Sequence, residues 1–508
     1  MSFARAPLFV LVSGLVLAGL TAQADPTLAP LFQDHAVLQR DCPLPVWGRA
    51  DPNEHVQVSF RGQTVGATAE ADGRWIVYLE PLSAAIEPSE LTVVGKTTLT
   101  IQDVLVGEVW LAAGQSNMER RLSTLPDSAA IVAKASHPFI RHFNVLRTVA
   151  TSPADTVENS GWQVASAATS GEFSAVAWYF SIEIQRKLGV PVGILHSSWG
   201  GTGIEAWTDA LTLRAVPAWP AIDARWQQAL REFPAQRDAY PALFAAWQKE
   251  AANPKASGQE NPLSWPRPPT GPGTPNALSE IFNGMIAPLQ PYALRGTIWY
   301  QGESNWMRSV EYAEIFPAMI TAWRAQWGLG DFPFFFVQLP NYQNFPDESG
   351  RGWAWLREAQ AQALRLANTG MAVTIDCGDP ADIHPQNKPI VGRRLAQLAE
   401  AQVYEITGDW SGPTFASAQR EGSTMRVHFD HVATGLTAER KFPQSFELAG
   451  ADRKFFPADA KIDRDTVVVQ SSQVPAPVAV RYAWSNAPPA NLLNGAGLPA
   501  APFRSDEW

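Results

Sequence analysis

From residue 103 onward one pattern repeats: a short, almost unbroken apolar run, a turn, then a stretch with helical spacing. The runs are 104–113, 192–198 (VGILHSS), 294–300 (LRGTIWY), 333–339 (PFFFVQL) and 371–377 (MAVTIDC). A strand with one solvated face alternates apolar and polar residues. A run without that alternation has both faces buried, as in a parallel sheet covered by helices. Residues 173–188, 311–327 and 353–367 carry the helical spacing between the runs. The chain is therefore expected to be α/β, with a doubly wound parallel sheet.

The flanks have a different rhythm. In 25–102, HVQVSF and RWIVYL alternate, and Arg61-Gly62 and Ala71-Asp72-Gly73 punctuate them as turns, which predicts an N-terminal β-sandwich. From 412 to 508, TMRVHF, QSFELA and DTVVVQS return to β spacing before a loop-like end. The 103–411 layer is interrupted at 208–275 by DARWQQALREF, ALFAAWQKEAA and the loop PLSWPRPPTGPGTP. This reads as a helical insertion with a Pro/Gly-rich excursion, placed as a lid would be.

Composition narrows the function. The formal net charge is −10, which argues against a nucleic-acid or anionic-membrane partner. At the N-terminus, MSFARAPLFVLVSGLVLAGLTAQAD has one arginine before an apolar stretch from Leu8 to Leu20, then small residues at Ala22-Gln23-Ala24. That predicts a signal peptide over 1–24, because the stretch is short of the ~20 residues a spanning helix needs. The mature protein is expected in the periplasm or outside the cell, free of the membrane once cleaved. Cys42 and Cys377 are the two cysteines, and their spacing leaves pairing open. The eight histidines are scattered and no zinc spacing occurs, so neither metal nor cofactor is expected.

Sites in open α/β sheets form beyond the carboxyl ends of the strands. After the first strand comes Gly114-Gln115-Ser116-Asn117, after the second Trp199-Gly200-Gly201-Thr202, and after the third Gln301-Gly302-Glu303-Ser304. DCGDPADIHP, with His384, follows the fifth. Each has an ordinary reading alone: Ser116 or Asn117 as a helix cap, the glycine pair as a turn, His384 as a surface residue before Pro385. Together they supply what acyl transfer needs, which is an alcohol, an imidazole to take its proton, and donors for the oxyanion. The turn is not a lipase elbow, because Met118 stands where G-x-S-x-G requires glycine.

GQSNME, SSWGGT, FNGMIAPL, WYQGESN and DIHP, in that order, resemble the sialate O-acetylesterase family, secreted carbohydrate esterases related to the SGNH hydrolases. VRYAWSNAPPANLLN and GLPAAPFRSD resemble the family's C-terminal β region. The resemblance implies an SGNH-like α/β domain flanked by β-rich regions. It implies Ser116 as nucleophile and His384 as base. It implies an oxyanion hole from the Ser116 N–H, the Gly200 or Gly201 N–H and the Gln301 side chain. The wider SGNH pattern has Asp three residues before the histidine, where this chain has Ala381. Asp382 or a backbone carbonyl is then expected to orient His384. Glu303 is expected to brace the Ser116 loop or touch substrate. Trp199 and Trp306 flank the site, and exposed rings suit sugars. Arg120, Arg121 and Arg308 are candidates for a sugar carboxylate or for surface pairing.

The implied activity is serine-dependent removal of O-acetyl groups from sugars, foremost 9-O-acetyl sialic acid, with acetylated xylan or xyloglucan as the alternative. Two rivals come from other classes. A glycoside hydrolase using Glu303 and Asp382 would leave Ser116 unexplained. A non-catalytic carbohydrate-binding protein would not turn over an acetyl ester.

Overall fold

The computed structural model describes residues 25–251, 266–439 and 441–508. Residues 1–24, where the sequence predicts a signal peptide, and part of the Pro/Gly-rich loop lie outside the described residues. Among those described, no helix is long and apolar enough to cross a membrane.

The central sheet runs in the order Asn159–Ala165, His137–Val145, Val192–Ser198, Thr98–Gly114, Gly296–Tyr300, Phe334–Val337, Thr369–Ala372. All neighbours are parallel except the first pair. The apolar runs occupy its middle: Gly296–Tyr300 and Phe334–Val337 are buried throughout. Each fully buried phenylalanine there contributes roughly 1.5–3 kcal/mol. Helices Ala175–Leu188, Ser309–Trp327, Gly352–Ala361 and Lys388–Gln402 join the strands. The run expected at 371–377 is a strand only at Thr369–Ala372, and the chain beyond it turns into the loop that carries His384.

Thr98–Gly114 is a single 17-residue strand. Its first half pairs antiparallel with Ala85–Val94 and its second half joins the parallel sheet. The change of rhythm at 102/103 therefore falls inside one strand. The C-terminal region forms a seven-stranded antiparallel sheet. Arg357, fully buried, fastens this region to the chain leaving the carboxyl end of Phe334–Val337 by donating to Leu339 O, Pro340 O, Ser485 O and Asn486 O at 2.7–3.0 Å. With carbonyl acceptors around it, burial lowers its guanidinium to about 9. The loop held this way carries Tyr342 and Phe345.

The two helical stretches of the insertion are one 33-residue helix, Trp219–Ala251, which passes through Pro234 and Pro241. Each interior proline removes a helical hydrogen bond. The helix forms one wall of the cleft described next. Cys42 and Cys377 are free thiols.

Candidate active site

Three strand ends finish level. Gly114 pairs with Ser198 on one side and with Tyr300 on the other. Its φ is +139°, and a Cβ there would lie 2.2 Å from the Tyr300 carbonyl oxygen, so only glycine fits. The chain then pivots. Gln115 N–H donates to Tyr300 O at 2.9 Å, and Trp199 N–H donates to Gly114 O at 3.0 Å. Ser116 opens the short helix Ser116–Glu119, and a first-turn N–H has no acceptor within its own helix. The apolar run thus breaks on a glycine and leaves a serine with a free N–H at the sheet edge.

His384 Nε2 lies 2.9 Å from Ser116 Oγ, within the range for proton transfer from an alcohol to an imidazole. Burial, followed by the positive charges of Lys388 and Arg120, holds the imidazole below the ordinary histidine value, while Asp382 and Glu119 oppose them. The imidazole is therefore neutral at neutral pH.

The orienting role expected of Asp382 meets a different geometry. Its Oδ1 accepts the His384 backbone N–H at 2.8 Å and stands 4.0 Å from the imidazole Nδ1, too far for a hydrogen bond. Asp382 curls the loop and does not grip the ring. Asp379 accepts the Ala381 N–H in the same loop, and Asp376 is held by Arg394.

Of the groups expected to face an oxyanion, Gln301 and Gly200 are engaged elsewhere. Gln301 is fully buried, and its amide donates to Thr202 O at 3.1 Å and Asn305 Oδ1 at 2.8 Å. Asn305 is itself oriented by Ile204 N–H and Glu205, so Gln301 faces two acceptors and cannot be flipped. Both amide protons are spent bracing the 202–205 segment, and none is left for an oxyanion. The Gly200 N–H donates to Glu119 Oε2 at 2.9 Å. Gly200 packs against Ser116: a Cβ there would lie 3.1 Å from the Ser116 Cβ. Among the described residues, the Ser116 and Gly201 N–H groups have no protein acceptor.

Asn117 is buried behind the serine. Its amide donates to Glu303 Oε1 at 2.6 Å and to the Ile383 carbonyl at 2.9 Å, while its oxygen accepts from the Lys388 ammonium. Glu303 is 4 % exposed. Burial raises its carboxyl above the usual range, with the Asn117 bond opposing.

Ser116 and His384 open onto a cleft of about 1420 Å³. Trp306 lines it with Phe345, against which it packs edge-on at 4.6 Å between ring centres. Trp226 and Tyr342 add further rings. Trp199 does not line the cleft; it lies under the Arg147 guanidinium, 5.7 Å from the ring centre. Arg121 pairs with Glu172 at the surface. Arg120 reaches Gln386 at 3.4 Å. Arg308 lines the cleft, and Glu205 pairs with both it and Arg225. Sequence reasoning missed Glu205, Arg225, Tyr342, Phe345 and Lys388. Glu205 comes from the short helix Ile204–Trp207 just before the insertion, Arg225 from the insertion helix, and Tyr342 and Phe345 from the loop after the fourth strand. Lys388, beside Pro389, carries no local sign of burial.

Known proteins resemble the chain throughout. The carbohydrate esterase, sialic acid-specific acetylesterase family model matches residues 257–400. A rat sialate O-acetylesterase is 30% identical over 94% of this chain and 93% of its own length. A mouse sialate O-acetylesterase is 29% identical over the same shares. Among solved structures, a carbohydrate acetylesterase from Xanthomonas citri is 40% identical, with a TM-score of 0.80 over 95% of this chain and 100% of that one.

Proposed function

The chain belongs to the sialate O-acetylesterase family and is a carboxylic ester hydrolase acting on O-acetylated carbohydrate, and from that premise we propose that Ser116 and His384 carry the reaction. The observation behind this reading is the 2.9 Å contact between Ser116 Oγ and His384 Nε2 at the mouth of the cleft. Ser116 Oγ attacks the acetyl carbonyl carbon as His384 takes its proton. The Ser116 and Gly201 N–H groups hold the oxyanion. The imidazolium then protonates the departing sugar oxygen. Water, deprotonated by His384, releases acetate from the acetyl-serine. Asp382 shapes the histidine loop, and Gln301 braces the floor. The glycoside-hydrolase reading has little support, because Glu303 is buried on Asn117 and Asp382 caps a backbone N–H. An N-terminal signal peptide would place the enzyme in the periplasm or outside the cell.

The family's sialate specificity makes 9-O-acetyl sialic acid the first substrate. A specific observation favours a second, acetylated hemicellulose. The cleft arginines Arg225 and Arg308 are both spent on carboxylates, Arg225 on Glu205 and Glu311. The rings around them suit neutral sugars, and the cleft volume exceeds the usual 300–1,000 Å³ of a small-ligand pocket. Arg267, exposed on the cleft wall, has no carboxylate partner among the described residues and is a cation available to a sialate. Acetate release should therefore be measured on 9-O-acetyl sialic acid and on acetylated xylan and xyloglucan oligosaccharides, with wild type and Arg267→Ala. The sialate reading expects higher kcat/KM on the sialate, and about a tenfold rise in its KM on losing one charge-assisted hydrogen bond. Preference for the neutral glycans, unmoved by Arg267→Ala, selects the second reading. Free sugar without acetate would contradict both.

A further inference from the structure

Asn117 links three parts of the site through one side chain. It follows the nucleophile in sequence, donates to the carbonyl of the residue before His384, and is clamped between Glu303 and Lys388. Lys388 is fully buried, and its ammonium also lies 5.3 Å from the centre of the Tyr300 ring. A buried lysine is expensive unless its charge is used or paired. The one residue it clamps joins the nucleophile turn to the histidine loop, and its counter-charge, Glu303, lies across that residue.

We propose that Lys388 is a positioning residue of the ester hydrolysis: it locks Asn117 in the orientation that registers the His384 loop on the Ser116 turn, and it brings a positive charge within electrostatic reach of the imidazole. The inference rests on His384 acting as the base. A positive charge there disfavours imidazolium, so the base stays neutral, and the enzyme active, at lower pH than an ordinary histidine allows. The groups facing His384 have opposed signs: Lys388 and Arg120 act against the imidazolium, Asp382 and Glu119 in its favour. Lys388 itself faces Glu303, Arg120, Cys377 and Asp382, and burial brings its ammonium down to about 7. Glu303 in turn faces Tyr300, whose phenol burial pushes up.

The test is the acid limb of the kcat/KM profile on a simple acetyl ester. In the wild type it should lie below 6.5. Lys388→Met should move it upward by about one pH unit, at the lower end of what one nearby charge does, and Lys388→Arg should restore it. Asp382→Asn should move it downward and cost the plateau rate tenfold or less. Loss of a merely structural lysine would lower the melting temperature and the whole profile without moving the limb. A folded Lys388→Met whose limb stays put or falls overturns the proposal. A wild-type limb at or above 6.5 overturns it too, even where the variant does not fold. Failure of the underlying reading looks different: Ser116→Ala or His384→Ala would then keep activity, whatever the limb does.

Discussion

Ser116→Ala is expected to fold as the wild type does and to lose on the order of 10⁴-fold or more of its turnover on an acetyl ester. The serine hydroxyl makes one notable contact, to His384 Nε2. The turn that presents it is held by backbone bonds from Gln115 and Trp199 that the substitution leaves intact. The free N–H groups of residue 116 and Gly201 also survive, so a small rate above the uncatalysed one should persist. Steady-state kinetics with a thermal melt checks both halves. A variant with a tenth of wild-type turnover would remove Ser116 from the chemistry.

His384→Ala is expected to cost as much, and at every pH. Its ring is about one-third exposed, and the loop's bond to Asp382 comes from the backbone N–H, so the fold should be preserved. In the wild type, activity depends on the neutral imidazole. It should be full above the lowered value of His384 and fall as pH drops through it. The profile of His384→Ala should lack that inflection. No other histidine is placed to substitute. His196 is buried in the second strand, where its Nε2 bonds Ser198 Oγ at 2.7 Å and burial lowers it to about 4.

The sequence made the scaffold legible where burial leaves a mark. The run 104–113 reads as a strand buried on both faces, and it is one. The strand ends that carry Ser116, Gly200 and Gln301 could be lined up because parallel strands in one sheet end on one edge. Side-chain direction left no such mark. Gln301 emerges at the expected place and then turns inward, toward acceptors supplied by Thr202 and Asn305. Glu119 captures the Gly200 N–H from another strand end. Local spacing determines which residues arrive at an edge. Partners distant in sequence determine which polar groups are still free there. The continuity of the insertion helix was equally hidden, since Pro234 and Pro241 read as breaks and one helix runs through both. Lys388 drew no reading from the sequence, because what buries it, Asn117 with Glu303 beyond, is distant in the chain.

The account's central claim is that the acetyl group passes through Ser116 Oγ. Its most direct measurement is mass spectrometry of the enzyme quenched with acid during turnover of an acetyl ester, followed by digestion and peptide sequencing. The account predicts an acetyl group on Ser116 in the wild type and none on that peptide in Ser116→Ala. An unmodified Ser116 peptide under conditions of full turnover, with acetyl carried on another side chain or on none, would contradict it.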